Sequence, residues 1–327
     1  MRVLLTGATG FLGYRTLERL SVNPGITNII AAGRTIKESH FVNDSKIEYQ
    51  LGDLCDKNYV NRITRNIDCV IHAAALSSPW GKYEDFEKAN IYSQKNCILA
   101  AIENQVKKYI YVSSPGIYFT GEDRIDIKET DKLPKKFIND YAKTKHAAEL
   151  ELMHAGIPYI ILRPRGIIGR GDTVIMPRLV KAFEAGRLKI IGNGKNIVDL
   201  SSALNVAYAI ELALFCEKGA LNQDYNITND EPVLLWEYIE NMLKRLGYRF
   251  PKTKVSFRLV KFIAGLMELQ SKLTNNSEPT LTKYGVGTLA KSFTMDISKA
   301  KYLLRYKPLM NTAEAMDEFA VWHLNKK

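Results

Sequence analysis

Short apolar runs alternate with helical patterns along the first half of the chain. The apolar runs predict strands at 3–6, 28–32, 47–51, 69–72, 109–113 and 159–162, with amphipathic segments between most of them. Strands that are separated by helices indicate a parallel sheet covered on both faces, which binds ligands at the carboxyl ends of its strands. The predicted fold class is therefore α/β, with a doubly wound parallel sheet.

The pattern changes after Pro164. Helical periodicity dominates at 177–184, 205–217, 234–246, 255–273 and 312–324, and one further strand is expected at 224–227. We predict a dinucleotide-binding domain over 1–165, to which the strand near 224–228 returns. Residues 166–327 then form mainly a smaller, mostly helical substrate-binding region over the open end of the sheet.

A glycine-rich turn follows the first apolar run and precedes a helical pattern. The spacing G-x-x-G-x-x-G gives a tight turn at Gly7, a close backbone approach at Gly10 and close helix–strand packing at Gly13. Backbone N–H groups at such a helix start bind phosphate. A glycine triplet also occurs in ordinary turns, but this context favours a Rossmann-type dinucleotide site formed by Gly7, Thr9, Gly10, Phe11, Leu12 and Gly13.

Three later strand ends complete the predicted cofactor site. The second strand ends in Arg34, where an NAD site usually carries an acid, and a guanidinium pairs with a 2′-phosphate; this favours NADP over NAD. A solvated Arg34 without a ligand is the alternative. Asp53 and Leu54 follow the third strand near the expected adenine. The small residues Ala73, Ala74 and Ala75 leave room for the adenosine half of the cofactor.

The candidate catalytic groups are a tyrosine and a lysine on one helix. Tyr141 and Lys145 are four residues apart and share a helix face, with Asn139 and Asp140 as a plausible cap. An adjacent ammonium and a positive nicotinamide would lower the tyrosine pKa from about 10 towards neutrality. An inactive surface helix is the alternative for this motif alone. Ser114 adds a hydroxyl at the end of the fifth strand.

The ordered motifs TGxxGxxG, GDL, HAAA, SS and YxxxK resemble the extended short-chain dehydrogenase/reductase superfamily. The segments 162–169, 191–199 and 225–232 resemble its 3β-hydroxysteroid dehydrogenase group. The segments 80–83 and 176–179, together with Asn90, are most similar to the bacterial 2-alkyl-3-oxoalkanoate reductases of that group. The resemblance extends over nearly the whole chain.

The resemblance implies a role for each matching residue. Tyr141 acts as the acid/base, Lys145 lowers its pKa and holds the nicotinamide ribose, and Ser114 orients the carbonyl. Asn90 positions a water molecule or the helix backbone in the proton path, Pro164 adds a cofactor contact, and His72 stays structural. A homodimer formed by the Tyr141 helix and the segment 83–104 is also implied. Phe119 and Arg170 replace the glycine and proline common in relatives.

Composition narrows the list of partners. The net charge of +11 suits an anionic ligand or lipid surface, but no nucleic-acid-binding motif is found. The four cysteines and the histidines lack metal-ligand spacing, so we expect free thiols and no metal. No signal or membrane-spanning segment is expected, which predicts a cytoplasmic protein.

A basic amphipathic segment leaves one question open. Seven basic residues and no acid lie between 244 and 261, and the following helical pattern places Val255, Leu259, Phe262, Ile263, Leu266 and Leu273 on one face. This helix either rests on an anionic membrane, or covers a pocket for an apolar substrate, or packs into the core as an ordinary helix.

Three functions are compatible with these patterns. The first is an NAD(P)-dependent oxidoreductase that transfers hydride to or from a carbonyl or hydroxyl of a hydrophobic molecule, either sterol-like or a long-chain 3-oxoacid. The second is a nucleotide-sugar epimerase or dehydratase with bound NAD, and the third is a non-catalytic NADP-sensing protein. The retained Tyr141–Lys145 pair argues against the third.

Overall fold

The computed structural model describes residues 1–250, 252–274 and 276–325. A parallel sheet of seven strands, in the order β12-β7-β5-β4-β1-β2-β3, forms its centre. The strands in chain order are β1 (Arg2–Thr6), β2 (Asn28–Gly33), β3 (Ile47–Leu51), β4 (Cys69–His72), β5 (Lys108–Val112), β6 (Arg124–Ile127), β7 (Tyr159–Pro164), β8 (Ile167–Ile168), β9 (Ile190–Ile191), β10 (Ile197–Val198), β11 (Ser201–Ser202), β12 (Gln223–Ile227), β13 (Val233–Leu234), β14 (Lys254–Val255) and β15 (Phe293–Met295).

Helices cover both faces of the sheet and form most of the second half of the chain. In chain order they are α1 (Phe11–Ser21), α2 (Lys57–Thr64), α3 (Tyr83–Phe86), α4 (Ser93–Glu103), α5 (Asp140–Met153), α6 (Ile175–Glu184), α7 (Ala203–Phe215), α8 (Leu235–Arg245), α9 (Phe257–Leu273), α10 (Lys283–Ala290), α11 (Ser298–Leu303) and α12 (Thr312–Leu324). A π-helical segment, Glu87–Tyr92, joins α3 to α4.

The sheet is buried on both faces because successive side chains of each strand point to opposite sides. Leu5 and Ile71 pack in the layer that includes Leu17 of α1 and Ile210 of α7. Leu4 and Val70 pack in the opposite layer, which includes residues of α2, α4 and α5. The predicted α/β class and parallel sheet are confirmed, and the strand expected at 224–227 is β12, paired in parallel with β7.

A second apolar cluster lies in the C-terminal half, among α6, α8, α10 and α12. A charged network joins this half to the helices that cover the seven-stranded sheet. Arg15 contacts Glu18 and Glu318 at 2.7 Å each, and Arg170 contacts Glu18 at 2.9 Å. Arg170 also contacts Glu318 at 3.4 Å and therefore ties α1 to α12.

The apolar face of α9 points away from the core. Helix α9 contacts the rest of the chain through a face that includes the buried residues Ala264 and Ser271. On the opposite side Phe262 is 65 % and Leu273 76 % exposed, and Leu259, Leu266 and Leu269 are exposed in the same stripe. The alternative of an ordinary core-facing helix is therefore wrong for this stripe. Within the described ranges, no helix has the length and apolarity to cross a membrane.

The close contact of Gly7 with Ala74 provides a test of the packing. Gly7 and Gly156 have φ angles of +70° and +71°, but a Cβ at Gly7 would lie 2.7 Å from the Ala74 nitrogen and one at Gly156 would meet nothing within 4 Å. We expect Gly156→Ala to lower the free energy of unfolding by about 1–2 kcal/mol through backbone strain. Gly7→Ala should cost about 2–5 kcal/mol, because a steric clash is added.

Denaturant unfolding followed by circular dichroism measures both changes in the free energy of unfolding. Equal losses for the two variants would show that the loop has room to relax, and would contradict the tight contact between the loop and the strand end after β4.

Candidate active site

The glycine-rich loop forms a cradle at the carboxyl end of β1. A Cβ at Gly13 would lie 2.0 Å from the carbonyl oxygen of Gly7, so α1 lies directly against the loop. The N-terminal cap of α1 is Gly10, which has no side chain to occupy the N–H groups at the helix start. The first N–H groups of α1, at Phe11 and Leu12, are the kind that bind a pyrophosphate. The geometry of the loop therefore fits a dinucleotide.

The neighbouring strand ends extend this cradle towards an adenosine site. Thr9 packs beside Gly33, where a Cβ would lie 2.4 Å from the threonine hydroxyl oxygen. Asp53 accepts a hydrogen bond from the Cys55 N–H at 2.9 Å, which holds the pKa of its carboxyl below the usual value, and Lys88 and Arg34 add to this lowering. Arg34 is exposed and lies close enough to Asp53 to act on it.

The remaining predicted cofactor residues line the same edge. Ala74 lies against Gly7, while Ala73 is half-buried and Ala75 is exposed. Leu54 is half-buried, and its carbonyl oxygen accepts a hydrogen bond of 3.0 Å from the Asn96 amide. Pro164 is buried at the end of β7, opposite Ile227 of β12.

Tyr141 lies in the first turn of α5, which begins at Asp140. Asn139 caps this helix by accepting a hydrogen bond of 2.9 Å from the Ala142 N–H, as the sequence predicts. Burial raises the pKa of Tyr141, although hydrogen bonds with the side chains of Ser77 and Ser114 act in the opposite direction. Without a cofactor, burial therefore outweighs both serines, and the expected lowering beside a positive nicotinamide stays a prediction.

Lys145 lies inside the fold rather than in the open site. Its ammonium donates a hydrogen bond of 2.7 Å to the Val112 carbonyl oxygen and lies 4.1 Å from the centre of the Tyr111 ring. Burial lowers the pKa of Lys145 to about 7, and Glu149 opposes this shift. Burial, together with the charge of Lys145, lowers the pKa of His72 to about 3, so this imidazole is neutral. Its Nδ1 forms a hydrogen bond of 3.0 Å with the Thr6 hydroxyl.

Asn90 connects the loop after β4 to α5. It lies in the π-helical segment, a feature that often marks functional sites. Its side-chain oxygen accepts the Leu76 N–H at 2.8 Å, and its amide donates to the Thr144 hydroxyl at 3.1 Å. Asn90 thereby fixes the loop that carries Ser77 relative to the helix that carries Tyr141.

A small cavity opens beside Ser114 and reaches the C-terminal region. The Gly116 N–H donates a hydrogen bond of 3.1 Å to the Ser114 hydroxyl, and Gly116 lines the cavity. The other lining residues come from the strand ends, α10 and β15: Pro115, Phe119, Arg165, Tyr284, Thr288 and Phe293. Phe119 packs edge-on against Tyr284, with ring centres 5.7 Å apart, so this residue narrows the cavity as its large size suggests.

Three of these site residues escape the sequence analysis. Ser77 stands two residues after the alanine triplet, and the sequence gives no way to choose between it and its neighbour Ser78. Tyr284 reaches the site from α10, more than 100 residues further along the chain, and acts on the pKa values of both Tyr141 and Arg165. Arg165 lies within the segment 162–169 that resembles the family, but the resemblance implies no role for it.

Comparison with known proteins assigns the family. Residues 4–259 match the model of the 3-beta hydroxysteroid dehydrogenase/isomerase family. The chain is 30 % identical to the 2-alkyl-3-oxoalkanoate reductase of Shewanella oneidensis, over 95 % of this chain and 84 % of that protein. It is 29 % identical to the mouse sterol-4-alpha-carboxylate 3-dehydrogenase, decarboxylating, over 95 % of this chain and 88 % of that protein.

A solved structure agrees on the fold. UDP-glucuronic acid 4-epimerase from Bacillus cereus, in complex with NAD, superposes with a TM-score of 0.76 at 22 % identity, covering 100 % of this chain and 99 % of that one. This likeness concerns the fold, whereas the family match spans more than half of the chain. The chain belongs to the 3-beta hydroxysteroid dehydrogenase/isomerase family.

Proposed function

We propose that this chain reduces the carbonyl of a hydrophobic 3-oxo acid, or oxidises the matching alcohol, with NADP(H) as the hydride carrier and Tyr141 as the acid/base. NAD(P)-dependent oxidoreduction follows from the family, and the finer assignment is our proposal. The observation that carries it is the meeting of Tyr141, Ser114 and Ser77 at the strand ends beside the glycine cradle.

The names of two relatives support this substrate class. In a 2-alkyl-3-oxoalkanoate the carbonyl carbon is bonded directly to the carbon that bears the carboxylate. A sterol-4-carboxylate that reacts at carbon 3 has the same arrangement. The small cavity beside Ser114 is lined mainly by apolar and aromatic side chains, so the surface next to the reacting groups is mostly apolar. Long-chain oxoacids and sterol-like acids therefore both remain within the proposal.

The chain's own groups supply proton transfer and orientation. A bound reduced nicotinamide supplies the hydride, which goes to the carbonyl carbon. The Tyr141 phenol, protonated at neutral pH because burial raises its pKa, donates its proton to the carbonyl oxygen. The hydroxyls of Ser114 and Ser77 hold that oxygen, and Lys145 fixes the end of β5 beneath them. The products are the alcohol and the oxidised cofactor, and water returns the proton to Tyr141.

Tyr141→Phe tests the proposed acid/base. Loss of the phenolic proton should lower kcat for oxoacid reduction by about 10³-fold, within the range that general acid catalysis contributes. NADPH affinity should stay within a few-fold, because the substitution leaves the glycine cradle unchanged. Nicotinamide absorbance measures the turnover, and fluorescence titration measures the binding.

Two results would contradict the proposal. Equal loss of turnover and NADPH binding would assign Tyr141 a structural role. If the wild-type chain interconverts UDP-sugars without a net change in nicotinamide absorbance, the epimerase alternative replaces the reductase.

The proposed preference for NADP rests on Arg34. Its guanidinium is exposed at the end of β2, at the edge where the adenosine ribose of a cofactor in the glycine cradle would lie. We expect Arg34→Ala to weaken NADPH binding about tenfold or more, the usual loss for a hydrogen bond to a charged group, and to leave NADH binding unchanged. Lys37→Ala, an exposed cation in the same loop, is the matched control. Equal effects of Arg34→Ala on both cofactors would overturn the assignment.

We further propose that the exposed stripe of α9 rests on an anionic membrane surface. Arg258 and Lys272 lie on the same helix as the stripe and Lys254 lies just before it, and all three are exposed. This combination of exposed apolar and basic residues is typical of interfacial helices. Helix α9 packs on α10, where Gly265 leaves room for the Lys283 side chain, and α10 carries the cavity residues Tyr284 and Thr288. An apolar substrate could thus pass from lipid to the site past one helix.

Vesicle flotation tests this surface. The wild-type chain should float with phosphatidylglycerol-containing vesicles and less with pure phosphatidylcholine vesicles. Phe262→Glu should reduce binding about tenfold or more, because a buried phenyl ring contributes about 1.5–3 kcal/mol. Val321→Glu, which replaces an exposed apolar residue of α12, is the control. Flotation of the Phe262→Glu variant at the wild-type level would contradict the proposal.

The homodimer stays a prediction of the resemblance. Leu99 and Ile102 of α4 and Met153 of α5 are exposed apolar residues on the expected helices. Sedimentation equilibrium of the purified chain at a range of concentrations measures its mass.

A further inference from the structure

Two arginines, Arg163 and Arg165, stand two residues apart at the end of β7 and differ in their hydrogen-bond and ion-pair partners. Arg163 is buried and fully paired. Its guanidinium donates to both carboxylate oxygens of Glu149, at 2.9 and 2.6 Å, and also contacts Tyr118 and Asp224. A buried arginine of this kind is a structural element, because its charge is neutralised and its N–H groups are satisfied.

Arg165 lacks this compensation. The residue is half-buried, but its Nε is buried without a hydrogen-bond partner, and the guanidinium forms no ion pair with any residue in the described ranges. The group lies 4.7 Å from the centre of the Phe293 ring, a contact with the ring face. Burial lowers the pKa of Arg165. Tyr284 and Asp199, which lie near it, act in the opposite direction and raise this pKa.

Asp199 does not neutralise this charge. One of its carboxylate oxygens accepts the Met295 N–H at 2.7 Å, and burial raises the pKa of this acid to about 6. An arginine N–H that is buried without an acceptor costs free energy, which a ligand oxygen would recover. The Nε–H group of Arg165 therefore remains a donor that could bind a hydrogen-bond acceptor of a ligand.

The backbone fixes the direction from which this acceptor would come. The Arg165 N–H donates to the Ile227 carbonyl oxygen and to the Ser201 hydroxyl, each at 3.1 Å, so the residue is held at the end of the sheet. Its side chain lines the cavity shared with Gly116, Tyr284 and Thr288. Gly116 is bonded to Ser114, and Tyr284 acts on the pKa of Tyr141, so the cavity adjoins the reacting groups.

We propose that Arg165 binds the carboxylate of the substrate inside this cavity and selects acids over the corresponding esters and ketones. The inference rests on the proposed function, because it places the carboxylate relative to a carbonyl held by Tyr141 and Ser114. The planar fork of a guanidinium matches the two oxygens of a carboxylate. A single cation among Phe119, Phe293 and Pro115 suits a singly charged head group with an apolar body better than a pyrophosphate.

Arg165→Met tests the assignment with stable substrates. The probes are a long-chain 2-alkyl-3-hydroxyalkanoic acid, its methyl ester and the secondary alcohol without the carboxyl group, each oxidised with NADP⁺. For the wild-type chain we expect kcat/KM for the acid to exceed that for the ester by about 10- to 100-fold, the usual loss for a hydrogen bond to a charged group. Arg165→Met should remove this preference by slowing the acid alone.

Two further variants separate recognition from structure and from general charge. Arg165→Lys keeps the charge but loses the fork, and should retain part of the preference for the acid. Arg178→Met removes an exposed arginine that pairs with Glu278, and should leave the preference unchanged. An unchanged thermal unfolding midpoint and NADPH affinity would show that Arg165→Met folds. If that variant does not fold, the pattern for Arg165→Lys decides the question.

The outcomes distinguish this inference from the proposed function. Equal turnover of acid and ester by the wild-type chain, or equal loss of both in Arg165→Met, overturns the role of Arg165 and leaves the reductase proposal standing. Absence of turnover with every probe overturns the proposed function instead. Calorimetric titration of the hydroxy acid into the NADP⁺-saturated chain then decides the inference: binding that Arg165→Met abolishes supports it, and equal binding by both chains contradicts it.

Discussion

The contact between the first helix and the first strand is the constraint on which the site depends. A Cβ at Gly13 would lie 2.0 Å from the Gly7 carbonyl oxygen, so a side chain there would push α1 away from the sheet. This contact brings the free N–H groups at the start of α1 to the edge where β1, β4, β5 and β7 end. The cradle and the cluster of Tyr141, Ser114 and Ser77 therefore share one edge, and a cofactor held by the loop can extend towards them.

Buried charge separates structural from functional residues in this protein. Ionised groups inside a fold are costly unless they are paired, so each buried cation needs an explanation. Arg163 is explained by Glu149 and Asp224, and Lys145 by the Val112 carbonyl oxygen and the Tyr111 ring. Arg165 is half-buried, its buried Nε lacks a partner among the described residues, and it lines the cavity beside Ser114. Arg165 is thus the arginine that we propose to bind a ligand.

The sequence predicts the elements of this fold well because local patterns determine them. The predicted and observed bounds of β3, β4 and α12 coincide, since apolar runs and caps such as Asn311 specify these ends. Which side of α9 faces outward could not be predicted, because an apolar stripe looks the same whether it meets a core or solvent. Tyr284 and Arg165 enter the site through tertiary packing of α10 and β7, which no spacing along the chain records. Ser77 could not be predicted either, because it reaches Tyr141 only in the loop position that the hydrogen bond between Asn90 and Leu76 fixes.

In the reaction that we propose, the pKa of Tyr141 links the geometry to the direction of proton transfer. Burial raises it, and the Lys145 ammonium donates its hydrogen bond to the Val112 carbonyl oxygen. A phenol in this state keeps its proton at neutral pH and is ready to donate it to a carbonyl. Removing a proton from an alcohol requires the phenolate, which only additional positive charge near the ring would stabilise. Since an oxidised nicotinamide carries such a charge and a reduced one does not, the cofactor itself would set the protonation state that each direction requires.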